Sequence, residues 1–254
     1  MQEGIKMNTL LELESKNKPY IVDILDSGVV LFKQLIPTEK IQTLQLEVNK
    51  TREIVMSKII TMERPLKTYS DIAERELGRL DYRCGFNAEI FNEVAHPIDK
   101  IINEISSTIE FRRYWGLITS LGGAGPTNMH RDVYPFLNTT TGVNLGSDEI
   151  NFPPYYFTVL IPLVNVTKEN GPTEYIKYSK SKKIVDADKA EIYAPLTSPG
   201  DVTIFDGRTL HRGSANNTQE ERVIAYITYV ANWYHDQTFE INDYLFPELA
   251  VKDI

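Results

Sequence analysis

At 254 residues, with a formal net charge of −8 and a pI near 5.2, the chain is long enough for one large β domain. It is too acidic for a general nucleic-acid or anionic-membrane binder, which would carry a basic patch. Hydrophobic residues make up 42% of it, enough for a sizeable core, and a single cysteine excludes an internal disulfide.

That cysteine, Cys84, reads as a small packed side chain, and the reducing compartment it fits makes the expected location cytoplasmic. Met1 to Tyr20 is charged throughout and lacks the apolar stretch of a signal peptide. The longest apolar run, Tyr155 to Val164, is too short to cross a bilayer and contains Pro162, so no membrane partner is expected. Glycosylation-like triplets at Asn138, Asn165 and Asn216 are then accidental.

Ile21 to Leu35 alternates and predicts a strand, with Val29-Val30-Leu31-Phe32 following the turn residues Asp26-Ser27-Gly28. Pro37 and Thr38 open a helix whose apolar residues Ile41, Leu44, Val48, Val55 and Ile59 recur at helical spacing. Phe91, Val94, Ile98, Ile101, Ile105 and Ile109 write a second helix. Between them Thr61 to Phe86, including Gly78-Arg79-Leu80-Asp81-Tyr82-Arg83, reads as a long polar loop, either one that faces substrate or a solvated one.

From Tyr114 onward short β-rich segments alternate with Gly, Pro and Asn. Trp115 to Leu121, Tyr155 to Val166, Asp201 to Phe205 and Val223 to Ala231 read as strands, and Asn170-Gly171-Pro172 as a turn. Val133 to Pro154, rich in Thr, Asn and Gly, is a candidate lid. No repeat or composition break marks a linker. The chain therefore reads as a single domain, 1–254, in which an N-terminal helical part, 1–112, packs on a β core, 113–232. Helices first and strands after predict a mainly β fold with flanking helices, a sandwich or barrel.

The chemistry concentrates at Asn128-Met129-His130-Arg131-Asp132 and at Asp206 to Ser214. In a strand, residues two apart share a face, so His130 and Asp132 can present an imidazole and a carboxylate to one point, and His211 would complete the set. Two histidines and one carboxylate leave the opposite positions of a metal ion open, as in non-haem Fe(II) oxygenases. The remaining histidines, His96 and His235, read as packing or surface residues. An acid follows a histidine at this spacing by chance often enough in a chain with 35 acids that the triplet's weight comes from its surroundings.

Those surroundings are His130-x-Asp132, then Glu169-Asn170-Gly171-Pro172-Thr173-Glu174, then Gly200-Asp201-Val202-Thr203-Ile204-Phe205-Asp206, then His211-Arg212-Gly213-Ser214-x-Asn216 with Arg222 beyond. Together, over most of Tyr20 to Ala231, they resemble the phytanoyl-CoA dioxygenase family of Fe(II)- and 2-oxoglutarate-dependent oxygenases. The resemblance implies a double-stranded β-helix, the cupin-like jelly roll, with iron held by His130, Asp132 and His211 as metal ligands and catalytic centre. It also places Arg222 on the distal carboxylate of the cosubstrate 2-oxoglutarate. The planar guanidinium fork suits a carboxylate, although a surface ion pair with Glu220 or Glu221 is the alternative for this arginine. Ser214 and Thr158 are candidate hydroxyl contacts to the cosubstrate, because a hydroxyl on an apolar wall needs a partner.

The implied activity is hydroxylation of an unactivated C–H bond of a small-molecule substrate, using O2 and releasing succinate and CO2. Asp132 keeps the carboxylate that halogenating relatives lack. Two other readings remain: an inert jelly-roll binding module, and a cupin-type metalloenzyme that does not use 2-oxoglutarate. The sequence departs from the family at Ser179-Lys180, where Ser-His is usual. It names no substrate, although a CoA ester would need Arg79, Arg83 and Lys180 to gather at the mouth, and the oligomeric state is not legible.

Overall fold

The computed structural model describes residues 18–60, 72–74, 78–83, 87–133, 153–180 and 190–236. Helices α1 (Pro19–Asp26), α2 (Thr38–Ile60) and α3 (Ala88–Ile105) are interleaved with strands β1 (Val29–Phe32), β2 (Ile72–Glu74) and β3 (Arg79–Tyr82). Seven strands follow: β4 (Phe111–Ser120), β5 (Tyr156–Pro162), β6 (Thr173–Ile176), β7 (Ile192–Tyr193), β8 (Val202–Asp206), β9 (His211–Gly213) and β10 (Arg222–Ala231).

Two antiparallel sheets form the jelly roll. The large one runs β1-β8-β5-β10-β4-β3-β2 and the small one β7-β6-β9. Period-two alternation assigns the faces of the large sheet. Phe157, Val159 and Ile161 on β5, Val202 and Ile204 on β8, and Val223, Ala225, Ile227 and Tyr229 on β10 join one apolar core with the helices. Their alternates Thr158, Leu160, Phe205, Ile224, Tyr226 and Thr228 line a cavity between the sheets. Both faces of β10 are buried, which is why its sequence is almost continuously apolar.

The helices owe their ends to local chemistry. Pro37 precedes the first turn of α2, and its carbonyl accepts from the amides of Lys40 and Ile41. Asn87 caps α3 by accepting from the Glu89 amide at 2.9 Å, and the helix stops at Ile105, so Ile109 packs beyond its end. The buried stripe is Phe91, Val94, Ala95, Ile98, Ile101 and Ile102; four of these are the predicted ones, while Ile105 is half-buried and Ala95 and Ile102 widen the stripe.

Two expectations are corrected. Ile21 to Leu35 is not one strand, because Tyr20 and Ile24, four apart, pack on the core as a helical stripe and Pro19 starts α1. Ser27 closes that helix, its amide donating to Asp23 O at 2.8 Å, before Gly28 turns the chain at φ +88° into β1. Gly78 to Arg83 is not a loop: Arg79 to Tyr82 pairs with β4, so the N-terminal 1–112 part supplies strands to both edges of the large sheet as well as helices. Its polar residues hid it, because Arg79 and Asp81 face the polar cavity while Leu80 and Tyr82 face the helices. Residues 134–152 of the candidate lid, with Cys84, lie outside the described residues, and Asn138 is among them.

Gly116 on β4 is required by its neighbour. The Tyr226 ring lies over it, so a Cβ would come within 2.3 Å of Tyr226 Cζ. That ring is pinned by its hydroxyl, which donates to Asp81 Oδ1 at 2.8 Å. Gly116→Ala should therefore displace the ring, break this hydrogen bond and destabilise the fold by about 1–3 kcal/mol, read by chemical denaturation.

Candidate metal centre

The two imidazoles are brought together by backbone. His130 and His211 form an isolated antiparallel bridge in which each amide donates to the other's carbonyl at 2.9 Å. Side chains of such a pair emerge on one face, and the ring centroids lie 4.4 Å apart. The Asp132 amide donates to Gly207 O at 2.9 Å, which returns its side chain to the same face as His130.

Each ring is also fixed in tautomer. Nδ1 of His130 lies 2.8 Å from Asn128 O, and Nδ1 of His211 lies 3.0 Å from Thr209 O. A carbonyl only accepts, so Nδ1 carries the hydrogen in both and Nε2 is left with its lone pair. Those Nε2 atoms lie 3.9 Å (His130) and 3.5 Å (His211) from Asp132 Oδ1. Thr158 donates to the other oxygen, Oδ2, at 2.6 Å and so aims Oδ1 at the histidines. Burial, the largest cause, holds the His211 imidazole below its ordinary pKa, which keeps it neutral as a ligand must be. The three donor atoms all lie within 4.8 Å of one another, and among the described residues this is the one cluster of its kind. Two imidazole nitrogens and one carboxylate oxygen, each ring or carboxylate backed by a hydrogen bond, fit a divalent transition metal.

The same cavity, about 430 Å³ in volume, is lined at its other end by Arg222. This arginine is 2% exposed and points inward, so the ion pair with neighbouring glutamates does not form; Glu221 pairs with Arg52 instead. Arg222 Nη1 donates to Asn170 O at 3.3 Å and Nη2 to the Ser120 hydroxyl at 2.9 Å, while Nε has no partner. A buried guanidinium on the wall of a cavity is a seat for a carboxylate.

The two softer candidates divide. Thr158 lines the cavity but commits its proton to Asp132. The Ser214 hydroxyl donates to Glu174 Oε1 at 2.8 Å, and Glu174 also pairs with Arg212 at 2.7 Å, so that hydroxyl is spent holding β9 to β6. Asn216 plays a similar part, its amide donating to the carbonyls of Ser120, Leu121 and Glu220. The cations proposed for the mouth do not gather: Arg79 lines the cavity, Arg83 pairs with Asp81 at 2.8 Å, and Lys180 reaches the Leu25 carbonyl. His96 and His235 are exposed and lie outside the metal cluster. Sequence reasoning did not single out Tyr226 as a cavity residue, and it put Arg79 and Asp81 on a loop near the site where a strand carries them into the cavity wall; their i, i+2 spacing was the available signal.

Fold and site together define a jelly-roll protein with a cluster of two histidines and one carboxylate that could hold a metal ion. Residues 25–224 match the family model described as phytanoyl-CoA dioxygenase (PhyH), and the chain belongs to that family. It is 26% identical over 205 residues to the iron/alpha-ketoglutarate-dependent dioxygenase penM of Penicillium thymicola, covering 77% of this chain and 62% of that protein. It is 32% identical over 110 residues to the dioxygenase peniF of Penicillium patulum, covering 42% of this chain and 35% of that protein. The chain thus spans less than two thirds of the length of either relative. Among solved structures, the carbocyclase SnoK from nogalamycin biosynthesis superposes with a TM-score of 0.61 at 18% identity, covering 84% of this chain and 83% of that one. EctD from S. alaskensis, solved with 2-oxoglutarate and 5-hydroxyectoine, superposes with a TM-score of 0.61 at 14% identity, covering 84% of this chain and 76% of that one.

Burial first, and the charge of Arg79 second, pull the Arg222 guanidinium down to about 9, which still leaves it protonated near neutrality. An anion binds the protonated form. A dicarboxylate seated on Arg222 should therefore bind with little pH dependence in the neutral range and more weakly as pH rises through about 9, as titration calorimetry across that range would record.

Proposed function

We propose that this chain is a cytoplasmic Fe(II)- and 2-oxoglutarate-dependent dioxygenase, a single oxygenase domain that hydroxylates an unactivated C–H bond of a small-molecule substrate. One observation carries the reading: three metal-binding atoms converge at one end of a cavity whose other end holds a buried arginine with an unused N–H. A diacid with a keto group next to one carboxylate is the ligand that uses both ends. A cupin-type metalloenzyme working without such a diacid has no use for Arg222, and an inert binding module has no use for imidazoles held in the metal-binding tautomer.

The residues divide the work. His130, Asp132 and His211 would hold ferrous iron through Nε2, Oδ1 and Nε2, and Arg222 would hold the distal carboxylate of 2-oxoglutarate. Iron bound there supplies the activation of O2, with 2-oxoglutarate oxidised to succinate and CO2 as one oxygen atom enters the substrate C–H bond. Thr158 keeps the Asp132 carboxylate aimed by donating to Oδ2. Ile118, Leu160, Phe205 and Ile224 give the cavity its apolar wall, which excludes water from the reaction. The substrate class draws further support from the acidic charge balance and from the absence, among the described residues, of any helix long and apolar enough to cross a membrane.

The test is conversion of 2-oxoglutarate to succinate by the purified chain with Fe(II). His130→Ala and Asp132→Ala should each lower it by more than about a hundredfold while circular dichroism shows the fold retained. Full turnover in both variants would remove these residues from the chemistry.

A further inference from the structure

The turn between β8 and β9 supplies a carbonyl to each half of the metal cluster. Gly207 O accepts from the Asp132 amide at 2.9 Å and from the Val133 amide at 3.1 Å. Arg208 O accepts from Arg131 Nε at 2.8 Å, which anchors the residue lying between His130 and Asp132. Thr209 O takes the Nδ1 hydrogen of His211 at 3.0 Å and so leaves Nε2 of that ring for an ion. Three successive carbonyls of one turn therefore aim two of the three donors, Asp132 and His211.

An ion pair folded back on itself holds that turn. The Asp206 carboxylate accepts from the Arg208 amide at 3.0 Å and from the Arg208 guanidinium, through Nε at 2.8 Å and Nη2 at 2.5 Å. Both residues are buried, and the guanidinium also lies over the Tyr155 ring. Neither is among the residues lining the cavity. Stability alone gives little reason for the pair, because taking two charges out of water offsets most of their attraction, and apolar side chains of similar volume do as well. What a guanidinium fork on a carboxylate adds is direction, since the two planar groups fit in few orientations.

We infer that Asp206 and Arg208 are positioning residues for the metal centre, their ion pair fixing the turn whose carbonyls aim Asp132 and His211. The inference rests on the reading of His130, Asp132 and His211 as metal ligands. Two further bonds hold the turn to the fold, from the Thr209 amide to Asp206 O at 2.8 Å and from the Thr209 hydroxyl to Gly28 O at 3.1 Å. Loss of the pair should therefore disturb the aim of the donors more than the fold.

The experiment is titration of Co(II) into the metal-free full chain without 2-oxoglutarate, followed by calorimetry and by the visible absorption of the bound ion, which reports its coordination geometry. Asp206→Asn should weaken Co(II) binding by about tenfold or more, the usual cost of losing a group that orients a ligand, and should alter that absorption. Unchanged affinity in folded Asp206→Asn overturns the inference. Should that variant fail to fold, Arg208→Lys, which keeps the charge and loses the fork, decides: weaker binding sustains the positioning role, and unchanged affinity overturns it. Asp99→Asn is the destabilised reference, because it disturbs the bonds from Tyr229 and Arg113 on the helix-facing side of the large sheet. It should lower the melting temperature and leave Co(II) affinity unchanged; equal weakening there would make the Asp206 effect one of stability and overturn the inference. Wild-type chain that binds Co(II) more tightly than Asp206→Asn but makes no succinate from 2-oxoglutarate keeps the positioning pair and removes the oxygenase reading. Succinate formation by the wild type with full Co(II) affinity in Asp206→Asn does the reverse.

Discussion

The backbone bridge between His130 and His211 is the constraint on which the site depends. Two reciprocal amide-to-carbonyl bonds of 2.9 Å set the imidazoles side by side before any ion arrives. The carboxylate follows from the same segment, since Asp132 is two residues beyond His130 and its amide is tied to Gly207. Backbone bonds thus position the donors, and side-chain bonds from Thr158 and to Asn128 and Thr209 choose which atoms point inward. A metal centre built this way is preorganised, so little ordering entropy remains to oppose binding.

The motif residues around the histidines serve that bridge. Glu174 holds Arg212 and Ser214, so β6 fixes β9; Asn216 ties the turn after β9 to the end of β4. Gly171, at φ +86°, packs so closely that a Cβ would lie 2.3 Å from Ala215 O. Asp201 accepts from the amides of Ser198 and Gln34 and pairs with Lys33, closing the turn into β8. Segments far apart in sequence therefore converge because each supplies a polar clamp on the small sheet or its connections. The cavity then has two unlike ends, metal-binding atoms at one and buried cations at the other, on walls that are otherwise largely apolar. Holding the Arg222 guanidinium out of water costs stability that a bound carboxylate would return.

Much of this was legible in the sequence, and for physical reasons. The helical stripes of α2 and α3 and the apolar strands β5 and β10 announce themselves because burial on a fixed face imposes a period. That His130, Asp132 and His211 would meet was legible because residues two apart share a face and the motifs around them resemble the family's, and Arg222 was singled out by its place in that resemblance ahead of an apolar strand. What failed was polar or mixed: β3 looked like a loop because its cavity face carries Arg79 and Asp81, and α1 looked like a strand because eight residues give a weak helical pattern. Ser214 illustrates a further limit. A hydroxyl beside a ligand residue suggests a cosubstrate contact, yet Glu174, distant in sequence, takes its proton. Partners across the fold are not written into local spacing.

The central claim is that His130, Asp132 and His211 hold a single ferrous ion as one unit. Anaerobic titration of Fe(II) into the full chain, followed by calorimetry, tests it most directly. The account predicts saturation at one ion per chain in the wild type and no comparable uptake in His211→Ala; equal uptake in both would contradict it.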